Sequence, residues 1–167
     1  MLKFAQCGTL LAAIITTGLM AGLFAAFAYA VMPALAATGN RTFVEAMQRI
    51  NTAILNGWFM TCFVGALLLA FAAVALHLPR SGHAALPWIV AALVLYGATL
   101  VITGVVHIPL NNALDQAGKP GHVHDLDAVR AAFEARWVTW NVVRAVTNLL
   151  AFAALAWALV QDGVGLR

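Results

Sequence analysis

Four long apolar runs leave this chain little freedom in how it can fold. Leu10 to Val31 carries no charged residue, and neither does Asn51 to His77, whose most apolar part is Trp58 to Leu76. A third run extends from about Leu86 to Ile108, and a fourth, Trp137 to Val160, is interrupted only by Arg144. A bilayer core of about 30 Å is crossed by about 20 apolar residues in a helix. Lipid offers no partner to an unpaired backbone N–H or C=O, so spanning runs of this kind must be helical. The fold class that follows is all-α: one integral-membrane four-helix bundle over residues 1–167, with spans near 10–31, 57–76, 86–108 and 137–160.

Composition closes the alternatives. Hydrophobic residues make up 63% and charged residues 9%, against about 45–50% and about 25% in soluble domains. Nine basic and six acidic side chains cannot cover a water-soluble globule of this length. The net charge of +3 is scattered between apolar runs and forms no basic stripe, which excludes nucleic acid and leaves the lipid bilayer as the partner. Lys3, the first run and Ala28-Tyr29-Ala30 imitate a cleavable secretion signal. The run exceeds the roughly 7–15 residues of such a segment, so it is expected to remain as a span. Gly18-x-x-x-Gly22 has the spacing that allows close helix approach, although an Ala- and Gly-rich helix produces such pairs by chance. Cys7 and Cys62 are expected to be free thiols, and nucleotide loops, a CxxC pair and haem-attachment motifs are absent.

Four spans put both termini and the short connection Leu78–Leu86 on one side of the membrane, with Met32–Asn56 and Pro109–Arg136 on the other. Lys3 and Arg80 place the termini side in the cytoplasm, with a bacterial inner membrane the expected location. Arg167 also falls on that side, and His77, Arg80 and His83 read there as ordinary loop residues. Within the first long segment, Thr42–Leu55 carries Phe43, Met47, Ile50 and Ile54 at helical spacing, the pattern of an extra amphipathic helix between spans one and two. Asn56-Gly57 marks a turn before the second span. Pro109 is expected to weaken the third helix. After the loop Gly118-Lys119-Pro120-Gly121, Asp125 or Asp127 is placed to cap a helix that continues into the fourth span.

Polar residues recur at helical spacing near the long-segment end. On the fourth helix Glu134, Trp137, Asn141, Arg144 and Asn148 follow one another at intervals of three or four, with Trp140 beside them. At about 100° per residue these fall on one face. An Arg facing lipid costs from about 2.5 kcal/mol upward, so Arg144 should point inward. A near-terminal Arg can instead snorkel to headgroups, with the Trp pair as an interfacial belt. Asn141 and Asn148 on the same face favour the interior reading. The third helix carries a second stripe, Tyr96, Thr103, His107 and Asn111, and the second contributes Asn51, Trp58 and Thr61, with Met47 below. An apolar pocket with a few aimed polar groups is the usual form of a small-molecule site.

Three motifs in order then carry a resemblance. Ile50-Asn51-x-x-Ile54-x-Asn56-Gly57-x-Phe59, Pro109-Leu110-Asn111-Asn112-x-Leu114 and Trp137-x-x-Trp140-Asn141-x-x-Arg144 resemble the anthrone oxygenase-like family of small integral-membrane proteins. Order and spacing are similar from about Thr9 to Leu159, and Gly57 stands where relatives often carry Pro. The resemblance implies four membrane helices and, from a fungal branch working in polyketide pathways, oxidation of an anthrone. An anthrone is a flat apolar tricycle with an acidic CH₂ opposite its carbonyl, and its enolate reacts with O₂ without metal or flavin. His107 is then the candidate base, since an ordinary imidazole pKa of about 6.5 suits proton transfer. Arg144, Asn111 and Asn141 would stabilise the oxyanion, and Trp58, Trp137 and Trp140 would sandwich the ring. Asn51, Tyr96, Thr103 and Asn148 complete the expected substrate-binding set.

The expected function is binding and oxidation, without a cofactor, of a small anthrone- or hydroquinone-like aromatic. The alternatives are a ligand-binding or accessory membrane subunit taking a lipid or quinone, as a monomer or homo-oligomer, and a metal protein. For the metal reading, His107, His122 and His124 supply imidazoles at the same end, but their spacing matches no recognised site. No cofactor is favoured.

Overall fold

The computed structural model describes residues 1–78 and 84–164, so Arg80, His83 and Arg167 lie outside the described residues. Five helices account for nearly all of it: α1 (Leu2–Ala36), α2 (Asn40–Ala53), α3 (Gly57–His77), α4 (Leu86–Gln116) and α5 (Leu126–Val164). All but α2 are long and apolar enough to cross a membrane. The four-helix membrane bundle read from the apolar runs is therefore present, with the amphipathic α2 between the first two spans. Two caps are made by the expected residues: the Asn56 side chain accepts the Phe59 N–H at 3.1 Å to open α3, and Asp125 accepts the Ala128 N–H at 2.9 Å to open α5.

The helices outrun the apolar runs. α1 begins at Leu2, α4 continues to Gln116 and α5 starts eleven residues before Trp137. Pro109 does not weaken α4 as expected, because Thr103–His107 winds as a wider turn in which the Ile108 N–H donates to the Thr103 carbonyl, five residues back. Proline has no N–H and its ring crowds the carbonyl four residues earlier. A widened turn makes room for that carbonyl while the backbone stays bonded inside the membrane. The same device occurs in α1, where Phe27–Val31 is wide, Met32 N–H donates to the Phe27 carbonyl, and Pro33 follows.

Small residues let the spans pack closely: Ala13, Ala66, Ala73, Ala92, Ala151 and Ala158 are fully buried. Gly18 belongs to this seam, since a Cβ there would meet the Phe152 ring at 3.0 Å, whereas Gly22 faces open space. On the termini side, Gln6 Nε2–H donates to the Leu76 carbonyl at 2.7 Å. His77 is not the loop residue expected. It is fully buried, with Nδ1 2.6 Å from the Ala73 carbonyl and Nε2 3.9 Å from Asp162 Oδ1. The start of α1 and the ends of α3 and α5 therefore meet there. Cys7 and Cys62 are free thiols.

At the opposite end α2 lies across the bundle. Its buried face, Phe43, Val44 and Met47, packs on Leu114, Phe133 and Trp137. Arg130 fastens it, donating to the Ala36 and Thr38 carbonyls and Asn40 Oδ1 while pairing with Glu134 at 2.6 Å and lying over the Phe43 ring. Gln48 donates to the Leu114 and Gly118 carbonyls.

Candidate ligand pocket

Beneath α2 the helices enclose a cavity of about 480 Å³ with contributions from all five, within the range of about 300–1,000 Å³ typical of small-molecule sites. Its polar groups come from α2, α4 and α5. His107 is 1% exposed, held at the end of the wide turn, and its ring meets Trp137 edge-on at 5.3 Å. Neither ring nitrogen finds a hydrogen-bond partner of proper geometry. Asn111 Oδ1, one turn on, accepts the Trp137 indole N–H at 3.0 Å, which leaves its NH₂ group available to the cavity.

Arg144 does not snorkel. Its side chain is 6% exposed, with the guanidinium stacked on Phe24 at 4.3 Å and 5.7 Å from Trp137. Nη2 donates to Asn141 Oδ1 at 2.9 Å and Nη1 to Thr103 Oγ1 at 3.3 Å, while Nε is buried without a partner. No carboxylate pairs with it among the described residues. Asp115, the carboxylate on the cavity wall, stands exposed at the outer rim. Asn51, on α2, also lines the cavity with an unpartnered buried NH₂ group.

Other residues of the expected set are engaged within the protein or lie outside the cavity. Asn141 lines the cavity, but its NH₂ donates to the Phe24 carbonyl and its oxygen is taken by Arg144. It therefore orients the guanidinium and ties α5 to α1, with only the second N–H of its NH₂ group left to donate. Trp58 is 84% exposed, and Thr61 is exposed as well. The phase running from Asn51 is broken where α2 ends at Ala53 and Asn56 restarts the chain as α3, so Asn51 faces the cavity and Trp58 faces outward. Trp140, at 37% exposure, flanks the polar stripe of α5 and lies outside the cavity. Asn148 and Tyr96 are buried below it. Asn148 donates to Thr99 Oγ1 at 2.7 Å and to the Arg144 carbonyl, and Tyr96 donates to the Phe63 carbonyl at 2.8 Å. Glu134 turns to Arg130. His122 and His124 are exposed on the loop before α5, and among the described residues no three His, Cys, Asp or Glu groups gather as a metal site.

The apolar walls were not legible in advance. Phe24, Phe27, Phe59 and Phe63 line the cavity, but each lies in an apolar run where one more Phe gives no contrast. The clamp formed by Arg130 had a faint signal in Thr38-Gly39-Asn40, a turn sequence rich in acceptors.

A bundle of four helices long and apolar enough to cross a membrane, with an aromatic-walled cavity near one end and a buried guanidinium that has no carboxylate partner among the described residues, defines a polytopic membrane protein. The match to the anthrone oxygenase family model covers residues 56–154, and the chain belongs to that family. No curated protein and no solved structure matches it.

Proposed function

We propose that this protein binds a small, flat, weakly acidic aromatic of the anthrone or hydroquinone type in the cavity and oxidises it with O₂. The observation that carries the reading is a buried guanidinium with no carboxylate partner among the described residues, sharing one cavity with a buried imidazole that makes no hydrogen bond of proper geometry. Sequestering a cation from water costs several kcal/mol without a counter-charge. An anionic oxygen on the ligand supplies that charge, with Arg144 Nε and the Asn51 and Asn111 NH₂ groups as donors. Phe24, Phe27 and Trp137 offer faces and edges to a ring.

For an anthrone, His107 takes a proton from the ring CH₂, and the negative charge is delocalised onto the carbonyl oxygen beside Arg144. The electron-rich carbon then bonds to O₂, and the peroxide formed takes up a proton. Loss of the second C–H proton with cleavage of the O–O bond leaves a carbonyl and releases water. One CH₂ and one O₂ thus give one C=O and one H₂O, with no external reductant.

The test is oxygen uptake by purified protein with a panel of anthrones and hydroquinones. Uptake is expected to survive strong chelators and to fall about 10²–10⁴-fold in His107→Ala. Wild-type rates in His107→Ala would remove the base. Ligand binding with no turnover by any substrate would leave a binding protein instead of an oxidase.

A further inference from the structure

The cavity has a side that the chemistry above does not use. α3 and α4 run antiparallel, tied where the Tyr96 hydroxyl donates to the Phe63 carbonyl. Past that tie, the Thr103–Gln116 stretch of α4 packs on α2 and α5, leaving a wedge between it and the first turns of α3. Met60 and Val64 on one edge and Ile108 on the other line the cavity and are also exposed. Trp58 and Tyr29 are exposed at this end of the bundle, and Trp88 and Trp157, edge to face at 6.3 Å, are half-exposed at the other. Such aromatics mark the two membrane interfaces. From Trp140 to Trp157 is 17 residues along α5, about 26 Å, close to a bilayer core. Val64 is six residues deeper than Trp58, about 9 Å below the interface. The apolar edge therefore opens among acyl chains, while exposed Thr52, Asn112 and Asp115 form the rim of the same cavity near α2.

A cavity with a guanidinium and amide groups set in an otherwise aromatic and aliphatic wall, and open to the bilayer along an apolar edge, fits an amphiphile. We infer that the wedge between α3 and α4 is a lipid-side mouth, and that the ring bound at Arg144 carries an aliphatic or isoprenoid chain lying in it. The ligand arrives from the membrane, ring first, and its chain stays in the bilayer. This rests on the ring-binding reading above and narrows its substrate class to chain-bearing aromatics. An acyl chain of a membrane lipid has the same chemistry and is the competing occupant.

Two measurements on the full chain in nanodiscs test it. In the first, a hydroxyanthraquinone and the same ring bearing a ten-carbon chain are titrated into wild type and Val64→Trp, which fills the mouth from its lipid-exposed edge. The chain-bearing probe is expected to lose at least fivefold more affinity than the bare ring in Val64→Trp. Equal loss of both probes, or loss of neither, overturns the chain assignment. In the second, phosphatidylcholine with a diazirine at the acyl terminus is photolysed around ligand-free wild type. Adducts on the cavity walls at Phe63 or Thr103 are expected. Adducts confined to outward residues such as Leu68 and Phe71 overturn the mouth. Wall adducts together with chain-independent ring affinity assign the mouth to lipid and overturn the chain-bearing substrate. If neither ring binds, the aromatic reading falls, and the photolysis result alone decides whether the mouth exists.

Discussion

Replacing Arg144 by Met separates a functional cation from a structural one, because the two roles predict opposite signs for stability. In the ligand-free protein, Arg144 gives two hydrogen bonds to neutral acceptors, Asn141 Oδ1 and Thr103 Oγ1, and stacks on Phe24. Removing it orphans Asn141 Oδ1, at a cost of about 1–3 kcal/mol. Thr103 loses little, since its hydroxyl already donates to the Thr99 carbonyl. Against this, Met eliminates a buried cation with an unpartnered Nε, whose desolvation costs several kcal/mol, and it keeps an unbranched side chain against the Phe24 ring. The net expectation is a melting temperature in detergent that is unchanged or higher. Binding of an anionic ring loses a charge-assisted hydrogen bond, about 1.5–3 kcal/mol, which is about 10- to 150-fold in Kd. Thermal unfolding and ligand titration on the same preparation give both numbers. A protein that melts lower and binds an acidic ring as tightly as wild type would refute the reasoning and make Arg144 a packing residue.

Other expectations follow from where side chains lie. Trp58→Ala and Trp140→Ala leave oxygen uptake within about twofold of wild type, because both indoles lie outside the cavity and a surface change typically moves stability by no more than about 0.5 kcal/mol. A tenfold loss in either would put that indole on the ring. Arg130→Met removes the bonds to the Ala36 and Thr38 carbonyls and Asn40 and is expected to destabilise by about 2–4 kcal/mol. Hydrogen exchange should localise that loss to α2, and uniform loss across all helices would contradict its role as the fastening. Asn141→Leu removes the amide hydrogen bond to the Phe24 carbonyl and leaves Arg144 Nη2 buried without its acceptor. Stability should fall by about 1–3 kcal/mol together with weaker ring binding, and unchanged binding would show that Arg144 needs no orienting partner.

How much of this was legible in the sequence follows from what each signal depends on. Span count and helical state came through because the cost of an unpaired backbone group in lipid allows no other outcome for runs such as Leu10–Val31. The inward face of α5 was readable because Trp137, Asn141, Arg144 and Asn148 are polar or amphipathic against an apolar ground, and one unbroken helix keeps their phase. Trp58 escapes the stripe because a helix break separates it from Asn51 and resets the periodicity. Tyr96 shares the stripe but not the cavity, because a stripe gives angle and not depth: it lies about 10 Å along α4 from Thr103, behind the Phe63 wall. Pro109 misled in the opposite direction, since a wide turn absorbs a proline that steric rules alone set as an obstacle. The contribution of α1, through Phe24 and Phe27, could not be seen, because nothing in the sequence marks which face of an all-apolar helix meets a cavity.

The most direct measurement is an experimental structure of the protein with a non-reactive hydroxyanthraquinone bound in a lipid nanodisc. The ring is expected beneath α2 against Phe24 and Trp137, with an oxygen within hydrogen-bonding distance of the Arg144 guanidinium and the reacting edge beside His107. A ring seated on the outer surface, or in the cavity with its oxygens turned from Arg144 and His107, would contradict this expectation.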